Sequence, residues 1–81
     1  MKAYTLKKKR ETDELHLFEG DMTDGGGCTS AAKSICRKMD KADSSGNVFS
    51  CKTDKEARIK SAEAGRSVCG VCVSHLYTTY P

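Results

Sequence analysis

The side chains of this 81-residue sequence that could bind a metal or exchange electrons are its five cysteines and two histidines. Cys69 and Cys72 form a Cys-Gly-Val-Cys pair, and the residues after Cys72 have the apolar spacing of a short helix. Two thiolates two residues apart at a helix start can converge on one ion, while nearby backbone N–H groups point toward their charge. The pair therefore predicts a metal clamp, with a redox pair or half of a disulfide framework as the alternatives.

A third ligand is predicted from topology. Cys51 ends a predicted strand over residues 47–51, and Cys69 ends a second predicted strand over residues 66–69, with a helix between them. If the two strands are parallel, their C-terminal ends lie side by side. We therefore expect Cys51 to join Cys69 and Cys72.

The fourth ligand is Cys28, Cys36 or His75. Cys28 and Cys36 are eight residues apart, which is about 12 Å along a helix and too far to share one ion. Cys36 falls within the apolar stripe of a predicted helix, where a free thiol acts as a small hydrophobic group. Cys28 lies at a loop-to-helix junction that can adjust to a metal, so we favour it. His16 is predicted to be an exposed strand residue.

The elements that must position these residues follow from periodicity. Alternating apolar residues predict a hairpin over residues 3–20, and apolar spacing of three and four predicts helices over residues 29–39 and from Cys72 onward. Between them, Thr53 and Glu56 have the spacing of a capping box and Gly65 is a natural C-terminal cap. The sequence predicts one α+β domain over residues 1–81, with a hairpin, a helix, a strand–helix–strand unit and a C-terminal helix around structural zinc. The predicted zinc ligands are Cys28, Cys51, Cys69 and Cys72.

Charge is segregated along the chain, which has a net charge of +3. Residues 1–10 carry five bases and no acids, and residues 11–24 carry six acids and no bases. This balance is too mild to require nucleic acid, so we expect a protein partner, with nucleic acid as the alternative. The predicted binding surface comprises Lys7, Lys8, Lys9, Arg10, Lys33, Arg37 and Lys38.

The cysteine pattern and the N-terminus indicate a compartment. The charged start lacks the apolar run of a signal peptide, and no run is long enough to span a membrane. We therefore expect a soluble cytoplasmic protein, in which closely spaced cysteines bind metal or do redox chemistry rather than form structural disulfides.

The segment Val68-Cys-Gly-Val-Cys-Val-Ser-His-Leu-Tyr77 resembles the C-terminal half of a treble-clef zinc finger, in which a Cys-x-x-Cys pair opens a helix. In size, the chain resembles small stand-alone regulators of bacteria and their phages. These resemblances imply a zinc-stabilised interaction or regulatory module. Four thiolates leave no open position for a substrate, so we expect no enzymatic activity. A thiol redox protein using Cys69 and Cys72 is the alternative.

Overall fold

The predicted N-terminal hairpin is present. The computed structural model describes residues 2–78, apart from the side chains of residues 66 and 75–78. Strands β1 (Lys2–Lys9) and β2 (Leu15–Asp21) pair antiparallel, with Leu6 opposite Leu17. The alternation of apolar and polar residues therefore predicted both strands correctly.

A third strand, β3 (Ser44–Lys52), contains the predicted strand over residues 47–51. It pairs antiparallel with β1, so the sheet within the described residues has the order β2-β1-β3. The predicted parallel pairing of this strand with residues 66–69 is wrong. The chain instead returns to the opposite edge of the sheet, where Val68 makes a single parallel bridge to Leu15 of β2.

Helix α1 (Asp54–Ala64) has the predicted caps at both ends. The Thr53 hydroxyl accepts a hydrogen bond from the backbone N–H of Glu56 at 3.3 Å, and the Glu56 carboxylate accepts one from the backbone N–H of Thr53. Gly65 ends the helix with a φ of 74°, a left-handed value that glycine adopts without strain. Ala57 is fully buried within the core, so its small side chain allows the helix to lie close to the sheet.

Helix α2 (Gly70–Thr78) begins two residues before the predicted start at Cys72. The Cys-x-x-Cys pair therefore brackets the helix start: Cys69 precedes it and Cys72 lies in its first turn. Tyr80, which belongs to the predicted apolar stripe of this helix, lies outside the described residues.

The helix predicted over residues 29–39 is wrong, because this segment runs irregularly along the outer edge of β2. Its backbone N–H groups donate to carbonyl groups of β2 at 2.8 to 2.9 Å, in the pairs Thr29 to Asp21, Ala31 to Glu19, and Ile35 to Leu17. An edge strand offers unpaired carbonyl groups, and satisfying them here replaces the hydrogen bonds that the segment would make as a helix. The approach needs glycine at position 20, since a Cβ there would lie 1.9 Å from the carbonyl oxygen of Thr29.

The core lies mainly between the sheet and the helices. Its members within the described residues are Tyr4, Leu6, Leu15, Leu17, Phe49, Ala57, Val68, Cys69 and Cys72. Phe18 and Met39 lie outside this cluster and are also fully buried. Because successive strand residues face opposite sides of a sheet, β2 is buried on both faces near its start.

The α+β fold class is confirmed, with a three-stranded antiparallel sheet, one helix and a shorter second helix within residues 2–78. None of the helices in that range is long and apolar enough to cross a membrane. What matters for function is that the start of β2 is surrounded by three parts of the chain: the 29–39 segment, Val68 with Cys69, and α2.

Candidate metal centre

Four side chains meet around the start of β2: His16, Cys36, Cys69 and Cys72. Each offers one ligand atom, and these four atoms all lie within 4.8 Å of one another. His16 and Cys72 are 56 positions apart in the sequence. The group therefore exists only because the sheet edge, the irregular segment and the start of α2 come together.

His16 lies on β2 and is only 1% exposed, so the prediction of an exposed strand residue is wrong. The alternation correctly predicted that His16 lies on the other face of β2 from its neighbours Leu15 and Leu17. No local pattern in the sequence indicated that a second layer covers that face. The irregular segment supplies this layer, and it brings the thiol of Cys36 to 3.2 Å from His16 Nδ1.

Cys36 lies in a tight turn rather than in a helix. The N–H of Ser34 donates to the Met39 carbonyl and the N–H of Arg37 donates to the Ser34 carbonyl, both at 2.9 Å. Below the turn, Lys33 and Asp40 form an antiparallel bridge and a 2.6 Å ion pair. The turn directs the Cys36 thiol into the group, and Cys36 also packs against the core, as the apolar stripe predicted.

Cys69 and Cys72 are joined to β2 by the backbone. The N–H of Cys69 donates to the Leu15 carbonyl at 2.7 Å, which fixes the start of α2 beside the start of β2. Cys72 is fully buried, and its sulfur lies 3.8 Å from His16 Nδ1. The predicted role of this Cys-x-x-Cys pair as the centre of a ligand group is thus consistent with its placement.

The spacing suits a small tetrahedral ion. Zinc bonds of about 2.0 Å to nitrogen and 2.3 Å to sulfur place neighbouring ligand atoms about 3.5 to 3.8 Å apart. The two nitrogen-to-sulfur distances of 3.2 and 3.8 Å bracket the lower end of that range. All distances between the four ligand atoms are within 4.8 Å, so a zinc ion would need to shorten the sulfur-to-sulfur distances by about 1 Å at most.

Glu14 faces the other ring nitrogen of His16. Its Oε1 lies 2.6 Å from His16 Nε2, although the two atoms are not aligned as a regular hydrogen bond. The tautomer that offers Nδ1 to a metal carries its proton on Nε2, toward this carboxylate. Metal-binding histidines commonly donate their second N–H to a carboxylate, which orients the ring and raises its basicity. Glu14 is therefore placed to support His16 as a ligand.

The thiols of Cys36 and Cys72 have shifted pKa values of opposite sign. Burial would raise the pKa of Cys36, but hydrogen bonds from Ser34, the N–H of Lys38, Cys72 and His16 outweigh burial and lower it. Burial raises the pKa of Cys72, and N–H groups of Leu17 and Cys36 offset only part of this effect. The Cys36 thiol of the metal-free pair therefore loses its proton more readily than the Cys72 thiol.

The structure does not bring Cys28 and Cys51 to this group, which corrects the predicted ligand set. The two residues form a disulfide with each other, 23 positions apart. They meet beside Thr5 of β1, whose hydroxyl accepts from the N–H of Cys51 at 3.3 Å and lies 3.9 Å from the Cys28 sulfur. A sulfur in a disulfide has no thiolate to offer, and the side chains that lie beside Cys69 and Cys72 are instead those of Cys36 and His16. The side chain of His75 lies outside the described part of the chain.

The residues of the predicted basic surface have different surroundings. Lys8 pairs with Asp13 at 3.4 Å, Lys33 pairs with Asp40, and Arg10 donates to the Ser44 carbonyl. Arg37 and Lys38 are exposed. Lys9 donates to the carbonyl of Lys38 at 3.3 Å, and Lys7 donates to Asn47 at 2.8 Å. The contact between Lys9 and Lys38 brings one base of β1 beside the exposed bases Arg37 and Lys38.

His16, Cys36, Cys69 and Cys72 are close enough to hold a metal ion. Three thiols and one imidazole are also a ligand set found in structural zinc sites. The chain matches no known protein family, curated protein or solved structure.

Proposed function

We propose that this protein is a zinc-stabilised interaction module, in which His16, Cys36, Cys69 and Cys72 hold one structural zinc ion. The observation that carries the proposal is the convergence of four ligand atoms within 4.8 Å from three separate parts of the chain. The carboxylate of Glu14 at the second nitrogen of His16 supports it.

The ligand types favour zinc over other ions. Thiolate and imidazole are poor ligands for magnesium and calcium, which prefer oxygen, whereas zinc binds both in tetrahedral structural sites. Zinc would also supply folding free energy to a small domain. A chain of 81 residues buries a small core, and structural zinc contributes roughly 10 kcal/mol or more to the folding of small domains.

A structural site argues for binding rather than catalysis. Three cysteines and one histidine complete a tetrahedron, which leaves no position for water or substrate on the ion. The ion would instead fix the irregular segment and α2 against β2. These elements then present their surfaces to a partner.

The resemblance of the Cys-x-x-Cys segment to a treble-clef finger supports the same proposal. In the structure the pair brackets the start of α2, as that resemblance implies. The remaining ligands differ from those expected, since His16 comes from a strand and Cys36 from a turn.

Thiol redox chemistry at Cys69 and Cys72 is the second candidate, because both carry free thiols within 4.8 Å of each other. Burial argues against it. Cys72 is fully buried and its pKa is raised by that burial, whereas redox thiols are accessible and have lowered pKa values. The zinc proposal is therefore the stronger one.

The partner proposed for this module is a protein with an acidic surface. The basic surface that includes Lys9, Arg37 and Lys38 supports this, because opposite charge speeds association and selects partners. Nucleic acid is the alternative. The described part of the basic surface carries no exposed aromatic side chain for base stacking.

Native mass spectrometry of protein purified without chelator tests the zinc site directly. We expect one zinc ion per chain, and we expect chelator treatment to remove it with loss of helical circular dichroism. Retention of the full spectrum by metal-free protein would contradict a structural role for the ion.

Replacing zinc with cobalt counts the ligands. Cobalt bound by three thiolates in a tetrahedron gives intense visible bands and sulfur-to-metal charge-transfer bands that grow with thiolate number. We expect the intensity of three thiolates in the wild-type protein, and loss of the bands when Cys36 is replaced by serine, because the three remaining ligands hold the ion weakly. An intensity of four thiolates in the wild-type protein would mean that the disulfide opens and that a different ligand set forms.

A further inference from the structure

A groove of about 360 Å³ lies over the disulfide, away from the metal group. It is bounded by residues of β1 and β3 and by the start of the irregular segment. Among the described residues that line it, two are lysines and none is acidic. The uncharged lining is rich in hydroxyl groups, which come from Thr5, Thr29, Ser30 and Ser50.

The two lysines, Lys7 and Lys41, are held near each other. Partial burial lowers the pKa of Lys7, and the positive charge of Lys41 lowers it further. The Lys7 ammonium is fixed by a 2.8 Å hydrogen bond to the Asn47 side chain and lies 5.8 Å from the ring centre of Phe18. The fold thus holds two like charges together at some cost, and an anion between them would remove that cost.

The acidic side chains close to Lys41 in the sequence have other partners. Asp40 pairs with Lys33 at 2.6 Å, and Asp43 accepts a hydrogen bond from the backbone N–H of Asp40 at 3.2 Å. Within residues 2–78, the structure gives the Lys41 ammonium no carboxylate partner. Its charge is therefore available to a ligand.

A short hydrogen-bond chain supplies an oriented donor. Lys7 donates to the Asn47 carbonyl oxygen, and the Asn47 amide donates to the Ser50 hydroxyl oxygen at 3.0 Å. Within residues 2–78 the Ser50 hydroxyl takes part in this hydrogen bond only as acceptor, so its O–H can donate to a ligand. Two ammonium groups and a hydroxyl are a donor set suited to a tetrahedral oxyanion.

We propose that this groove binds the phosphate group of a small molecule, with Lys7, Lys41 and Ser50 as its donors. A groove of this size admits a phosphate with a small attached group. Two lysines match the double charge of a phosphate monoester better than the single charge of a backbone phosphodiester. The site adds a ligand to the proposed module, and it does not depend on zinc.

The test is a titration of the full-length, disulfide-intact protein with inorganic phosphate at constant ionic strength. Nuclear magnetic resonance would follow the lysine side-chain signals and the backbone amides of residues 28–30 and 47–51. We expect saturable shifts confined to these groups. Lys41→Gln and Lys7→Gln should each weaken binding about tenfold, because each removes a charge-assisted hydrogen bond. Lys55→Gln, on the exposed side of α1, is the matched control and should leave the affinity unchanged.

Three outcomes would overturn the proposal. One is the absence of saturable shifts, and another is equal weakening by Lys55→Gln, which would mean that phosphate follows the overall charge. The third is binding of a single-stranded oligonucleotide without binding of phosphate, which would identify the basic surface as a nucleic-acid surface instead. Zinc content measured on the same samples shows whether the metal site is intact, so that a change in phosphate binding is not confused with loss of zinc.

Discussion

The two sulfur sites of this protein make different use of the same residue type. Cys28 and Cys51 are closed by a covalent bond beside β1, whereas Cys36, Cys69 and Cys72 keep free thiols around a buried histidine. Both sites hold the irregular segment against the sheet. The disulfide holds it at its start, through Cys28, and the cluster of His16 with the three free thiols holds it at Cys36. The function of each cysteine here therefore depends on which side chains the fold places beside it.

The two sites should also differ in their energetic weight. A disulfide joining residues 23 positions apart stabilises by about 3 kcal/mol, mainly through the unfolded chain. A structural zinc ion contributes roughly 10 kcal/mol or more. We therefore expect the fold to survive loss of the disulfide and to fail on loss of the metal.

The largest effect is expected from removing one ligand of the metal group. Cys36→Ser should abolish stoichiometric zinc binding and unfold the chain under conditions where the wild-type protein is folded, because a three-ligand site holds the ion weakly. Zinc content by mass spectrometry and far-ultraviolet circular dichroism would measure this. The same change at Cys72 should behave alike.

The control for that experiment is the other sulfur site. Cys28→Ser combined with Cys51→Ser leaves every proposed zinc ligand in place, so one zinc ion per chain should remain. If instead the double variant loses zinc while Cys36→Ser keeps it, the ligands are those predicted from the sequence and the assignment made here is wrong.

A smaller effect is expected on stability from the double variant itself. Its free energy of unfolding should fall by about 3 kcal/mol, measured by denaturant titration of zinc-loaded protein. Zinc affinity should also fall modestly, since the segment that carries Cys36 is less constrained before the ion binds. An unchanged free energy of unfolding would show that zinc alone anchors the segment.

Substitution of Gly20 tests how the irregular segment reaches the metal group. In Gly20→Ala the new methyl group would meet the Thr29 carbonyl oxygen at 1.9 Å, so the segment must shift. We expect a loss of about 2 kcal/mol in the free energy of unfolding, typical of overpacking. Gly70→Ala is the control, since no atom lies within 4 Å of its added Cβ. Equal stability of the two variants would argue against close packing of the segment on β2.

The smallest effect is expected at Glu14, which touches the histidine ring and not the metal. Glu14→Gln should weaken zinc binding about tenfold, because it removes the charge that orients the ring and raises its basicity. Competition with a chelator of known affinity would measure this. Glu11→Gln, at a nearby exposed position, should leave the affinity as it is, and a matching loss there would assign the effect to overall charge.

Local patterns correctly predicted the elements whose hydrogen bonds lie within themselves or between neighbouring strands. The alternation in β1 and β2 and the capping box of α1 are of this kind. The helix predicted for residues 29–39 failed because its apolar spacing was real but its backbone partners lie on the edge of β2. Apolar residues spaced three and four positions apart do not distinguish a helix from an irregular segment that is hydrogen-bonded to the edge of a sheet.

The sequence by itself determined that this protein is a small α+β domain with a Cys-x-x-Cys pair at the start of its last helix. It also determined that metal chemistry should be sought there, since the spacing of Cys69 and Cys72 is local. Only the tertiary structure decided that His16 and Cys36 complete the group and that Cys28 pairs with Cys51. These choices join residues that are 20 to 56 positions apart, and they depend on which edge of the sheet each segment reaches.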